Sequence, residues 1–117
     1  MSTKKAVRER IALLQGTLDL LILRTLVMGP QHGHGIAVSI QDQSDDTFLI
    51  DHGSLYPALQ RMEESGWIRA EWGTSDNNRR ARFYELTVKG KKHLAQEASQ
   101  WRRLSAVIGR ILGPEEV

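Results

Sequence analysis

Arg79, Arg80 and Arg82 fall within four residues, directly after Asn77 and Asn78. That is more cation than the solubility of a loop tip requires, and a guanidinium fork suits phosphate oxygens. Across 79–92 these arginines join Lys89, Lys91 and Lys92 against Glu85 alone, a local balance of +5. The 117-residue chain carries only +2 in total, and 42–51 is acidic through Asp42, Asp45, Asp46 and Asp51. A polyanionic partner would therefore meet a patch rather than a uniformly basic surface. A second group lies at Ser54, Tyr56, Gln60 and Arg61, whose hydroxyl, amide and guanidinium groups can bond phosphate, sugar or base edges.

Other chemistries fit less well. His32, His34, His52 and His93, with the aspartates at 45, 46 and 51, raise the question of a metal. No two histidines have the i, i+4 spacing of a zinc helix, and the chain has no cysteine. No metal and no cofactor is expected. Asp51, His52 and Ser54 are too close in sequence to form a hydrolase triad, and "GPQHGHG" is not a nucleotide-binding loop. No enzymatic activity is expected. Absence of cysteine also excludes disulfides and suits a reducing compartment, so the cytoplasm is the expected location. The apolar Leu18–Met28 run is too short to span a bilayer and contains Asp19 and Arg24.

The elements that must hold these residues follow from periodicity. A short helix is expected over 4–14. Gly16 is expected to interrupt it before a strongly apolar helix over 17–28. "MGPQHGHG" at 28–35 reads as a loop, and a third helix spans 35–43. In "HGSLYPALQRMEESGWI" at 52–68, Leu55, Leu59, Met62 and Gly66 share one helical face. Ser54 is the expected N-cap, which puts Pro57 in the first turn, where its missing amide has no partner to lose. Capping by Asp51 instead would place Pro57 deeper and bend the helix. Gly66 suits the position that ends the helix.

Residues 67–72 and 79–87 alternate as strands around the turn 73–78, forming a hairpin with an arginine-rich tip. Phe83 and Tyr84 point to opposite faces of its return strand, so one of them is core; the sequence leaves the choice open. Thr87 can cap a final helix over 88–112. The fold class is α+β, mainly α: a winged helix-turn-helix with a two-stranded β-wing and a long C-terminal helix. Residues 1–87 are expected to form one unit, the winged helix-turn-helix, and 88–117 a separate C-terminal helix.

That last helix is about 37 Å long, more than the rest of the chain can cover. Its far half remains apolar, with Trp101, Leu104, Ile108 and Ile111 spaced 3, 4 and 3 and with Leu94 and Ala98 nearby. Such a stripe needs a partner helix, and a second copy of the chain supplies one.

"QGTLDLLILRTLVMGPQHGHGIAVSI", "GSLYPALQRMEESGWI" and "RFYELTVKGKKHL" together resemble the PadR family of bacterial transcription regulators, over roughly residues 13–94. The family's usual Gly-Tyr pair is Gly33-His34 here, and the single C-terminal helix is like that of the short-type members. The resemblance implies a homodimeric repressor on a palindromic operator, released by a ligand or stress. Within a helix-turn-helix, the recognition helix enters the major groove by its N-terminal end. Ser54, Tyr56 and Arg61 would then contact DNA, Gln60 would reach a base edge, and Asn77, Asn78, Arg79, Arg80 and Arg82 would hold phosphates. Lys4, Lys5 and Arg8 could add flanking phosphate contacts. Some short PadR-like proteins stack flat aromatic compounds against a dimer-interface tryptophan, which implies a small aromatic effector at Trp101. The alternatives are a winged-helix module for protein–protein contact, or a metal or ligand sensor without direct DNA readout.

Overall fold

Leu18, Ile22 and Leu23 of one apolar helix, with Leu26 just beyond its end, form one buried line, and the other elements assemble against it. The computed structural model describes residues 15–114. The helix expected over 4–14, with Lys4, Lys5 and Arg8, lies outside the described residues. Helix α1 (Gln15–Thr25) includes Gly16, which therefore does not break it there. Past Thr25 the chain tightens into a 3₁₀ turn, Leu26–Met28, rather than continuing as α-helix. The Thr25 hydroxyl donates to the Leu21 carbonyl at 2.8 Å, a local bond that lets a buried polar side chain end the helix.

The segment expected to be a loop contains a strand, β1 (Gln31–His32). It pairs antiparallel with the return strand of the hairpin, Gln31 opposite Tyr84 and His32 opposite Phe83. Helix α2 (Gly33–Gln43) begins directly after it, capped by His32, whose Nδ1 accepts from the Gly35 amide at 3.0 Å. Ile36, Ala37 and Ile40 of α2 are buried against the core, as their spacing predicts.

Helix α3 (His52–Glu64) is capped by Asp51, not by Ser54: Asp51 Oδ1 accepts from the Ser54 amide at 2.7 Å. Pro57 consequently lies beyond the first turn, inside the helix. A carboxylate is the stronger acceptor at the positive end of a helix, which favours Asp51 over a hydroxyl three residues on. The helix ends as expected. Gly66 adopts φ +82, and the amides of Gly66 and Trp67 close onto the carbonyls of Glu63 and Met62.

Strands β2 (Ile68–Thr74) and β3 (Arg80–Leu86) pair antiparallel from Ile68 opposite Leu86 to Thr74 opposite Arg80. With β1 they form a three-stranded sheet, ordered β1-β3-β2. At the tip, the Asn78 amide bonds the Ser75 carbonyl and Asn78 takes φ 64, a conformation asparagine tolerates better than most residues. Tyr84 is the core aromatic at 6% exposure, while Phe83 meets the His32 ring edge-on.

Helix α4 (Val88–Leu112) starts at Thr87, whose Oγ1 accepts from the Gly90 amide and donates to the Gly66 carbonyl. Its first turns pack against α1, and Leu94 rests on the core of its own chain. From Ser99 onward every described residue of α4 is exposed.

Candidate nucleic-acid interface

The hairpin register decides which wing side chains face α3. Pairing of Ala70 with Tyr84, Trp72 with Arg82 and Thr74 with Arg80 puts these six side chains on one face of the two-stranded ribbon. Tyr84 is buried at the base, so the outer members of the row extend away from the core on the same side. There they meet Tyr56 and Gln60 of α3 across an open groove of about 1290 Å³, which Arg79, Arg80 and Arg82 also line.

Each expected contact residue can now be placed. Tyr56 is 43% exposed and packs edge-on against His52, its ring lying over Gly33. Gln60 is exposed, with its amide 3.5 Å from a Glu64 carboxylate oxygen. Ser54 is exposed in the first turn of α3, its hydroxyl 3.4 Å from Asp51 Oδ2. Asn77 lies at the wing tip, where its side chain accepts from the Ser75 hydroxyl at 2.6 Å, and Asn78 sits beside it. Arg80 lies over the Trp72 ring at 4.5 Å.

Two of the arginines expected to contact DNA are already paired within the chain. Arg82 Nη2 donates to Glu63 at 3.0 Å, and its Cζ lies 5.9 Å from the Tyr84 ring centroid. Arg61 is away from the groove, and its Nη2 donates to Asp19 Oδ1 at 3.0 Å, tying α3 to α1. Burial raises the Asp19 carboxyl above its ordinary value of 3.8, against the pull of Arg61 and His93. Burial likewise raises the Tyr84 phenol above 10.0, so it stays neutral.

Three groups of groove residues have no part in the contacts expected from sequence. Glu63, Glu64 and Asp76 set carboxylates against the three arginines, so the groove is mixed in sign rather than uniformly basic. His32, His34 and His52 line its upper edge, with the rings of His34 and His52 6.1 Å apart. Trp72 stands 57% exposed on the wing face. The signal for Trp72 was its alternation with Ile68 and Ala70 in a half-buried strand. The three histidines come from β1, α2 and α3, so no single period in the sequence marks them as neighbours. Among the described residues no group of three or more histidines and acids could hold a metal ion.

Of the residues expected to hold a dimer, Trp101, Leu104, Ile108 and Ile111 form an exposed apolar row, whereas Leu94 packs on the core of its own chain. Trp101 is 48% exposed, Leu104 56% and Ile108 46%, with Ile111 more exposed still. Ala98 is half-buried where α4 leaves the domain. Among the described residues no helix is long and apolar enough to cross a membrane.

Comparison with known proteins gives a consistent result. Residues 22–96 match the family described as the transcriptional regulator PadR-like family. The solved structure of a transcriptional regulator from Clostridium thermocellum is similar at TM-score 0.77 and 28% identity, covering 85% of this chain and 96% of that one. A PadR family transcription regulator from Clostridium difficile is similar at TM-score 0.72 and 30% identity, covering 82% of this chain and 98% of its own. An uncharacterized protein X from Lysinibacillus sphaericus is 27% identical over 99 residues, 85% of this chain and 91% of that protein.

Proposed function

Since the chain belongs to the PadR-like family of transcriptional regulators, we propose that it is a homodimeric repressor acting in the cytoplasm on a palindromic operator. Residues 1–87 read DNA and 88–117 hold the dimer together. The observation that carries this reading is the groove itself. It sets Tyr56 and Gln60 of a capped helix opposite Arg79 and Arg80 of the wing, with solvent access along its length. A helix lying in a major groove and a basic hairpin on the adjoining backbone need that arrangement. In this reading Tyr56 and Ser54 bond phosphate or sugar, Gln60 reaches a base edge, and Asn77, Asn78, Arg79 and Arg80 hold phosphates. Arg61 acts through Asp19, setting the angle of α3, rather than on DNA.

The exposed row on α4 supports the dimer. Side chains as large as Trp101, Leu104 and Ile108 on one helical face bury most area against a second amphipathic helix. Two copies would set the recognition helices about one DNA turn apart, the spacing a palindrome requires. Trp101 on that row gives a flat aromatic effector a surface to stack on, and ligand entry there would alter the spacing.

Fluorescence anisotropy across a salt series, comparing duplex from upstream of the chain's own gene with scrambled duplex, tests the reading. Selective binding that weakens steeply with salt is the expected result, together with a dimer by analytical ultracentrifugation. Equally weak binding to both duplexes, with salt-insensitive retention of a protein partner, would favour the protein-contact alternative. A dimer that survives Leu104→Glu combined with Ile108→Glu would remove α4 as the interface.

A further inference from the structure

The groove face of the wing carries an alternation that the family assignment does not explain. From the core outward it runs Tyr84, Arg82, Trp72, Arg80. Trp72 stands directly opposite Arg82, and Arg80 reaches back over the indole at 4.5 Å. Arg82 lies 5.9 Å from the Tyr84 ring centroid, and Glu63 fixes its guanidinium at 3.0 Å. Aromatic rings and cations therefore alternate, and the inner end of the row is anchored in the core by Tyr84 at 6% exposure.

The two arginines differ in what holds them. Arg82 has a carboxylate partner, and that pair spans from the wing to α3. Arg80 has no ion pair among the described residues and lies against the face of Trp72. An exposed guanidinium on a flexible stem loses side-chain entropy when it binds, whereas one already laid on an indole loses less. The cost of exposing the indole is the other half of the observation. Trp72 is 57% exposed, which a residue serving only hairpin stability would not require.

We propose that Trp72 is a positioning residue for DNA binding, which holds the Arg80 guanidinium over the groove ready for phosphate, while Arg82 braces the wing against α3. This rests on the DNA-binding reading above. It divides the arginine cluster into one cation for the partner and one for the fold.

A double-mutant cycle on the full-length protein tests it, read by affinity and salt slope on the selected duplex. Trp72→Ala should lose roughly fivefold in affinity, consistent with an exposed cation–π contact. It should also flatten the salt slope by up to about one unit, as Arg80→Ala does by losing a phosphate contact. In the Arg80→Ala background, Trp72→Ala should add little. Trp72→Phe, which keeps a π face, should retain most of the binding. Trp72→Leu, which keeps apolar bulk without one, should not. Unchanged melting temperatures in Trp72→Phe and Trp72→Leu separate this from a folding effect. Full additivity of the two alanine variants, or equal binding by the Phe and Leu variants, overturns the proposal. Wild-type protein that binds no duplex removes the DNA-binding reading itself, and the proposal falls with it.

Discussion

The Tyr56 ring lies so close to Gly33 that a Cβ at residue 33 would stand 2.7 Å from the phenolic oxygen. Gly33 opens α2 and Tyr56 lies in α3, so the start of one helix is shaped to seat a side chain of the next. His52 holds the other flank of the ring, at 5.4 Å between centroids. Tyr56 is thereby directed along the groove rather than left to sample solvent.

Gly33→Ala tests what that seat is for. The atoms that must yield are the far end of the tyrosine, so the cost to folding should be small, within about 1 kcal/mol. The phenol must swing out of its place beside α2. DNA affinity should fall severalfold while the melting temperature barely moves. Equal affinity for variant and wild type, measured by anisotropy, would show that the position of Tyr56 does not matter for binding.

The cap of α3 makes a sharp pair of substitutions. Asp51 accepts from the Ser54 amide, while the Ser54 hydroxyl caps nothing. Asp51→Ala should cost about 1 kcal/mol of stability, and Ser54→Ala only a few tenths. Urea denaturation gives both numbers. The reverse order would restore Ser54 as the cap. If Ser54 bonds phosphate, Ser54→Ala should still weaken DNA binding at unchanged stability.

Asp19 and Arg61 lead to a prediction about pH. Desolvation is the largest influence on Asp19 and raises its carboxyl above 3.8, so the attraction of Arg61 does not fully offset burial. Between 3.8 and that raised value the folded chain binds more protons at Asp19 than the unfolded chain does. The contribution of this group to stability is thus fully present below 3.8 and is lost as pH rises through the raised value. Asp19→Asn should remove that part of the pH dependence and change stability little at neutral pH. Arg61→Met leaves a half-buried carboxylate without its cation, and its deficit against wild type should grow from pH 4 to pH 7. Urea melts at the two pH values decide it; a deficit that shrinks would mean that the pair adds nothing to the ionised state.

The legibility of this chain in its sequence varied with the kind of signal. Leu55, Leu59 and Met62 announced the buried face of α3 by spacing alone, and Thr87 and Gly66 marked their helix ends through capping chemistry. β1 is not legible, because two residues between Pro30 and Gly33 have no period; only the edge of β3 makes them a strand. Spacing from Pro57 favours Ser54 as the cap, because a proline is best tolerated in the first turn. The helix accepts Pro57 further in instead. Arg79, Arg80 and Arg82 are visible as a cluster, but Glu63, the partner of Arg82, and Asp19, the partner of Arg61, come from distant segments, and the contact of Arg80 with Trp72 depends on the hairpin register.

Gly90 lies in the first turn of α4, where the long helix leaves the wing. A Cβ there would run into the Trp67 carbonyl, which is backbone and cannot swing aside as a side chain could. The same carbonyl accepts from the Thr87 amide, and the Trp67 ring stacks on His93 of α4 at 3.7 Å. The end of α3, the start of β2 and the first turns of α4 therefore meet at one backbone oxygen. Gly90→Ala must push α4 away from this junction, and overpacking against backbone should cost about 3 kcal/mol. Because α4 carries the exposed apolar row, its displacement should also alter the spacing of the two recognition helices in a dimer. The variant should lose DNA affinity beyond what its unfolded fraction explains, most clearly on duplexes with two half-sites rather than one. Denaturation curves with anisotropy on both duplexes separate the effects. An equal loss on both would confine Gly90 to the stability of the single domain.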